Sequence, residues 1–223
     1  MKNPNLISEV FEKADLIQSV IDNTSSAFKM FREQTESITN ELINHGGKNQ
    51  SKQRFEFKNR GDLEFEMRFG GDVLIFLQHT NVFEFSRAHD VMKTPYIKED
   101  SNRSFCGIIN IYNFLRDSFE YNRENDLGYL IGRIFINSEG HYFIEGKREI
   151  GLLYNNFNTS IINEESVRDI IESAISYASK FDLLTPPYEE VKVVSVREMK
   201  ENISNRLLIT GKRLGFRFQE DKD

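Results

Sequence analysis

Scarcity sets the first limits on this chain. A single cysteine, Cys106, stands among 223 residues, so no intramolecular disulfide and no Cys-based metal cluster can be built. Tryptophan is absent and there are four histidines, which leaves few side chains that change charge near neutrality. No stretch approaches the ~18 uninterrupted apolar residues of a membrane-spanning helix. The opening Met1-Lys-Asn-Pro-Asn5 has no apolar core of a secretory signal. A cytoplasmic protein with no membrane partner is expected.

Phosphate-cradling loops are also missing. Gly70-Gly71 and Gly128-x-x-x-Gly132 have neither the Gly-x-Gly-x-x-Gly spacing nor the Lys-Ser/Thr ending; the latter pair reads as close packing or a bulge in a strand. There is no Gly-x-Ser-x-Gly elbow, and Cys106 sits in an apolar run with no neighbouring histidine, which suits an inert buried thiol. These absences point away from nucleophilic and nucleotide-dependent catalysis, and no cofactor is expected. Because catalytic groups also converge from distant positions, an enzyme stays among the alternatives.

Phenylalanine is plentiful: nineteen, with eight tyrosines. Leu63-Glu-Phe-Glu-Met-Arg-Phe69 alternates apolar and charged residues, so Leu63, Phe65, Met67 and Phe69 share one face of a strand and Glu64, Glu66 and Arg68 the other. Phe55 and Phe57 alternate in the same way upstream. Turn residues at Asn59–Asp62, Gly70–Asp72 and His79–Asn81 separate these runs from Val73–Leu77 and Val82–Phe85. Short turns favour antiparallel neighbours, and the pattern predicts a four-strand meander. Leu127–Ile136 and His141–Lys147, joined by Asn137-Ser-Glu-Gly140, predict a further hairpin. Gly151–Tyr154, Val191–Val196 and Lys212–Phe218 read as additional strands.

Residues 5–44 predict helix. Val10, Ile17, Phe31 and Ile38 recur in sevens, with Ala14, Ile21, Phe28 and Leu42 beside them, which makes one apolar seam on a polar rod about 60 Å long. A break at Asn23-Thr-Ser-Ser26 would turn it into a helical hairpin. The seam either covers the sheet or meets another chain. Gly46-Gly47 stops it. Phe105, Ile108, Ile109, Tyr112, Leu115 and Phe119 follow helical spacing and predict a second helix over 105–121, although the β-branched isoleucines also suit a strand. Residues 94–104 read as a polar loop. Asn163, with Glu164 and Glu165 in the first turn, opens a helix whose apolar face is Val167, Ile170, Ile171, Ala174, Ala178 and Phe181. Residues 197–208 read as helical or mixed.

Strands clustered in hairpins rather than alternating singly with helices predict an α+β fold: an antiparallel sheet covered by helices, with a long amphipathic N-terminal element. Residues 1–45 form the expected association segment and 54–218 the α+β domain. The expected function is interaction or regulation through self-association or a protein partner, with Val10, Ile17, Ile21, Phe28, Phe31 and Ile38 as the contact. A first alternative places a small ligand or metal-dependent chemistry on the rim of residues 72–90, where His79, Glu84, His89 and Asp90 have metal-ligand composition. The hairpin of His141, Tyr142 and Phe143 offers aromatic and basic residues to a ligand. A net charge of −6 repels nucleic acid on average. The basic C-terminal segment with Lys212, Arg213 and Arg217 is the one place for it, or for an acidic partner.

Overall fold

The computed structural model describes residues 4–46, 55–146, 156–180, 185, 187–197 and 199. Helix α1 (Pro4–His45) comes first. Strands β1 (Phe55–Asn59), β2 (Glu64–Phe69), β3 (Asp72–Gln78) and β4 (Phe83–Glu84) follow. After them come α2 (Pro95–Glu99), β5 (Phe105–Leu115), α3 (Arg116–Glu120), β6 (Tyr129–Asn137), β7 (Tyr142–Gly146) and α4 (Glu164–Ser179). The seven strands form one antiparallel sheet in the order β1-β2-β3-β5-β6-β7, with β4 paired to the start of β5. The fold is α+β, an open antiparallel sheet with the long N-terminal helix packed on it.

Two expectations are corrected. Residues 105–115 are strand, not helix, and only Arg116–Glu120 turns helical. β5 is central, paired with β3 and β6, and each of its faces packs in an apolar cluster, Ile109 and Ile111 on one side and Cys106 and Ile108 on the other. A strand of that kind has no clean period of two, and its Ile-rich run mimics helical spacing. The strand expected over Val191–Val196 is instead a helical turn at Tyr188–Val191, then a bend and irregular backbone through 195, with residues 196 and 197 helical. The strands expected at 151–154 and 212–218 lie outside the described residues, as does nearly all of the segment 197–208.

Helix α1 is unbroken through Asn23-Thr-Ser-Ser26. The Thr24 hydroxyl bonds back to the Val20 carbonyl at 2.6 Å, which lets a poor helix former stay in the helix by satisfying itself. The core lies between the sheet and the pair α1 and α4. Phe28 and Phe31 meet Phe65 and Phe76 there, with Phe65 and Phe76 stacked at 4.6 Å between centroids. Ile109, Ile111, Ile134, Ile136 and Ile144 continue the layer under Val167, Ile170 and Ile171 of α4. Each fully buried side chain of this size contributes about 1.5–3 kcal/mol relative to exposure. Gly107 lets α1 come close: a Cβ there would lie 2.1 Å from Thr24 Oγ1. Gly128 likewise lies against the Phe114 ring, 2.1 Å from a built Cβ.

On the opposite face, the segment 85–97 forms a second apolar cluster. Phe85, Val91, Tyr96 and Ile97 cover Cys106, Ile108 and Phe135. The charges on the other face of β2 are covered to different degrees, with Glu64 half-buried. Glu66 is fully enclosed and Arg68 nearly so. Arg68 Nε donates to Glu66 Oε1 at 2.7 Å, and Arg60 pairs with Glu66 Oε2. A carboxylate can be held in such a place because two guanidinium groups meet it.

Candidate interaction surface

The apolar seam of α1 serves two purposes along its length. From Asn23 onward the helix is fastened to the body. Asn23 Nδ2 donates to the carbonyls of Asn137 and Ser138 at 3.2 and 2.8 Å. Gln78 donates to the Ser25 hydroxyl, and Arg32 donates to the carbonyls of Gly61 and Asp62. Of the six expected contact residues, Phe28, Phe31 and Ile38 are buried in the chain's own core. Ile17 and Ile21 are half-buried, and Val10 is exposed. The helix therefore shares its core with the sheet from Val20 to Thr39, and what projects is the arm before it.

On that arm Leu6 is 45 % exposed, Val10 58 % and Phe11 64 %. Leu6, Glu9, Val10, Lys13, Ala14 and Ile17 line a shallow groove of about 450 Å³. Lys13 reaches back to the body, its Nζ 3.1 Å from the centre of the Phe105 ring, a cation–π contact that orients the arm. The remaining charges of this stretch, Glu9, Glu12 and Asp15, are acidic. An amphipathic helix face bearing exposed apolar residues at helical spacing can seat a second helix or an apolar groove of a partner.

The other candidates are placed as follows. His79 is exposed, its Nδ1 accepting from the Asn81 amide at 3.0 Å and its ring edge-on to Phe83. Glu84 is exposed. Asp90 pairs with Lys93 at 2.7 Å, and that hydrogen bond holds its carboxyl below the usual range. His89 Nδ1 accepts from the Val91 amide at 3.2 Å, so Nε2 carries the proton and donates to Glu145 Oε1 at 3.1 Å. Both imidazole nitrogens are thus engaged. Among the described residues, no three His, Cys, Asp or Glu side chains gather as a metal-binding group. Burial pushes the Cys106 thiol far up from its ordinary value, which leaves it in the unreactive protonated form.

The hairpin aromatics are engaged in packing. Tyr142 is core and Phe143 packs against the second cluster. His141 stacks on Tyr96 at 4.9 Å and its Nδ1 donates to the Phe157 carbonyl. Around them Tyr96 donates to Glu139 at 2.7 Å, Asn137 Nδ2 donates to the Tyr96 hydroxyl at 2.9 Å, and Arg103 donates to Glu139 at 3.0 Å. This knot ties α2 to the β6–β7 turn. Burial, chiefly, raises the Tyr96 hydroxyl well above its usual value. Lys212, Arg213 and Arg217 lie outside the described residues.

Two features escaped the sequence reading. Glu66 was placed on the charged face of β2 with nothing said of its burial, and the contact of Arg60 with it was invisible because Arg60 belongs to a turn. Asn110 also went unremarked: it is buried on the second sheet face with an unpaired Oδ1. Comparison with protein-family models, curated proteins and solved structures finds no match to this chain.

Proposed function

We propose that this chain is an interaction protein that works by association through the N-terminal arm of α1, with itself or with another protein. The observation that carries the reading is the exposure of Leu6, Val10 and Phe11 on a helix whose seam residues Phe28, Phe31 and Ile38 are buried in the chain's own core. Isolated apolar residues on a surface are ordinary. Here they are grouped on one helix, with Leu6 and Val10 lining a groove, which is the arrangement of a docking face. No catalytic role is assigned to any residue in this reading.

Native mass spectrometry of the full chain, compared with Val10→Asp and Phe11→Asp, tests it. The parent should show a defined oligomer or a captured partner at micromolar concentration. Each variant should lose that species while its melting temperature stays close to the parent's, because exposed positions change stability by only about 0.5 kcal/mol. An assembly that survives both substitutions would refute the arm as the contact.

A further inference from the structure

The exposed arm keeps the seven-residue register of the buried seam. Ile7, Ala14 and Ile21 take the first core position of each heptad, and Val10 and Ile17 the fourth, which is the spacing of a two-helix seam. From Thr24 to Ile38 the same positions are buried in the chain's own body, whereas Ile7, Val10 and Ala14 are exposed. Charge is kept off this stretch of seam. Glu12 and Asp15 take outer positions of the heptad. Glu9 and Lys13, four residues apart, border the groove on one flank, and the Lys13 ammonium is drawn aside to the Phe105 ring. The other flank carries Phe11 and the uncharged Gln18. A seam with so little charge of one sign suits a copy of itself.

We infer that the arm pairs with the arm of a second copy, antiparallel, about a two-fold axis level with Glu12. This rests on the arm as the contact and names its occupant. Orientation follows from the body. From Val20 onward the sheet fills the seam side of α1, so a second helix lying parallel and in register would run into it. An antiparallel arm brings only its first turn to that point. Antiparallel helices set a first core position against a fourth. One register places Ile7 against Ile17 of the second copy and Val10 against its Ala14. The first helical residue, Pro4, then comes level with Val20, where full burial begins. The next deeper register would drive the arm into the sheet, and the next shallower one would leave Ala14 and Ile17 unmatched.

In this register Phe11 lies beside Phe11 of the second copy on one flank. That pairing covers an aromatic ring which the single chain leaves 64 % exposed. On the opposite flank the two Lys13 stems come near each other. Each ammonium is turned to its own Phe105 ring, and each has a Glu9 on the same side, so the charges there balance. The same patch serves both copies, which makes the contact self-complementary and closes it at a dimer.

The test is sedimentation of the full chain through about 100 μM, beside Phe11→Lys, Phe11→Glu and their equimolar mixture. The parent should dimerise. Each variant alone sets two like charges at the two-fold axis and should dimerise about tenfold more weakly or worse, while melting with the parent. The mixture should recover the dimer, because opposite charges then meet. Val10→Cys mixed with Ala14→Cys should give a disulfide between copies faster than either alone, the native Cys106 being buried. A mixture no tighter than its components, with Val10→Asp still abolishing the parent's dimer, would keep the arm as the contact and overturn the self-pairing. Val10→Cys cross-linking by itself as fast as the mixture would mean parallel helices and overturn the geometry. A parent that stays monomeric would overturn the second copy as occupant and leave the arm to a different protein. A dimer that survives Val10→Asp would overturn both this inference and the arm itself.

Discussion

Replacing Gly107 by alanine probes how tightly α1 is seated on the sheet. A Cβ at this position would stand 2.1 Å from Thr24 Oγ1, 2.8 Å from its Cβ and 2.9 Å from its Cγ2. Rotating Thr24 relieves the first contact but not the contact with its Cβ. The helix or the strand has to give instead, and ordinary van der Waals contact begins near 3.4 Å. Lifting α1 by even ~0.5–1 Å forfeits a quarter to a half of each dispersion contact along its seam, and the neighbouring side chains Val20, Ala27, Phe28 and Phe31 are all fully or almost fully buried. Overpacking of this kind costs about 1–3 kcal/mol, and the backbone-anchored clash places Gly107→Ala at the upper end. For a domain of this size, one kcal/mol corresponds to about 2–4 °C, so melting followed by circular dichroism should show a fall of about 4–12 °C. Thr24→Ala should cost less in the Gly107→Ala background than alone, a coupling that a double-mutant cycle measures. A Gly107→Ala protein that melts with the parent, or a cycle with no coupling, would refute the close approach of α1 to β5.

Glu139 gives a pH prediction. Burial works to raise its carboxyl, but the hydrogen bonds from Tyr96 and Arg103 outweigh that and lower it below 4.5. A carboxyl lowered in the folded state contributes stability that is present above its unfolded value and lost as pH falls through the folded one. Parent and Glu139→Gln should therefore differ in melting temperature at neutral pH, and the difference should shrink as pH falls below the ordinary carboxyl value of 4.5; parallel curves would count against the network. Asn163 caps α4 reciprocally, accepting from the Ser166 amide at 2.8 Å while its own amide donates to Ser166 Oγ at 3.0 Å. Asn163→Ala should cost about 1 kcal/mol and Asn163→Gly only a few tenths, read by denaturant melts; equal losses would mean the side chain does not cap.

Where one physical preference acts alone, the sequence reading and the structure agree. Phe65, Met67 and Phe69 of β2 share the buried face as their alternation requires, and Asn163 opens α4 where its cap chemistry puts it. The failures arise where two preferences give the same pattern. Phe105, Ile108, Ile109, Tyr112 and Leu115 satisfy a helical spacing, yet they belong to a strand covered on both faces. The cover on both faces makes the pattern ambiguous, and pairing with β3 and β6 along the edges decides it; neither is local information. Glu66 fails for a different reason. Alternation places it correctly opposite Phe65 and Met67, but the guanidinium groups that let it be buried come from Arg68 and from Arg60 in the preceding turn. Asn110 gave only one signal, a polar residue interrupting Ile108-Ile109 and Ile111. Its neighbour Arg133 is 23 positions away and adjacent only through the register of β5 with β6.

The division of the α1 seam follows from lengths. The six-strand order β1-β2-β3-β5-β6-β7 has five interstrand spacings, which gives a width of about 24 Å at ~4.8 Å each. Helix α1 touches β1, β2, β3, β5 and β6, so it crosses the sheet. Its buried positions run from Val20 to Thr39, about 29 Å at ~1.5 Å per residue, which is the sheet's width and little more. Beyond Thr39 the helix meets α4, where Arg168 donates to both Glu41 carboxylate oxygens at 3.0 and 2.6 Å. The stretch before Val20 extends about as far again as the sheet is wide, yet it keeps the same apolar repeat through Val10 and Ile17. A periodic pattern does not record where its own partner stops. Only the geometry of the sheet separates the part of the seam that folds this chain from the part left uncovered by it.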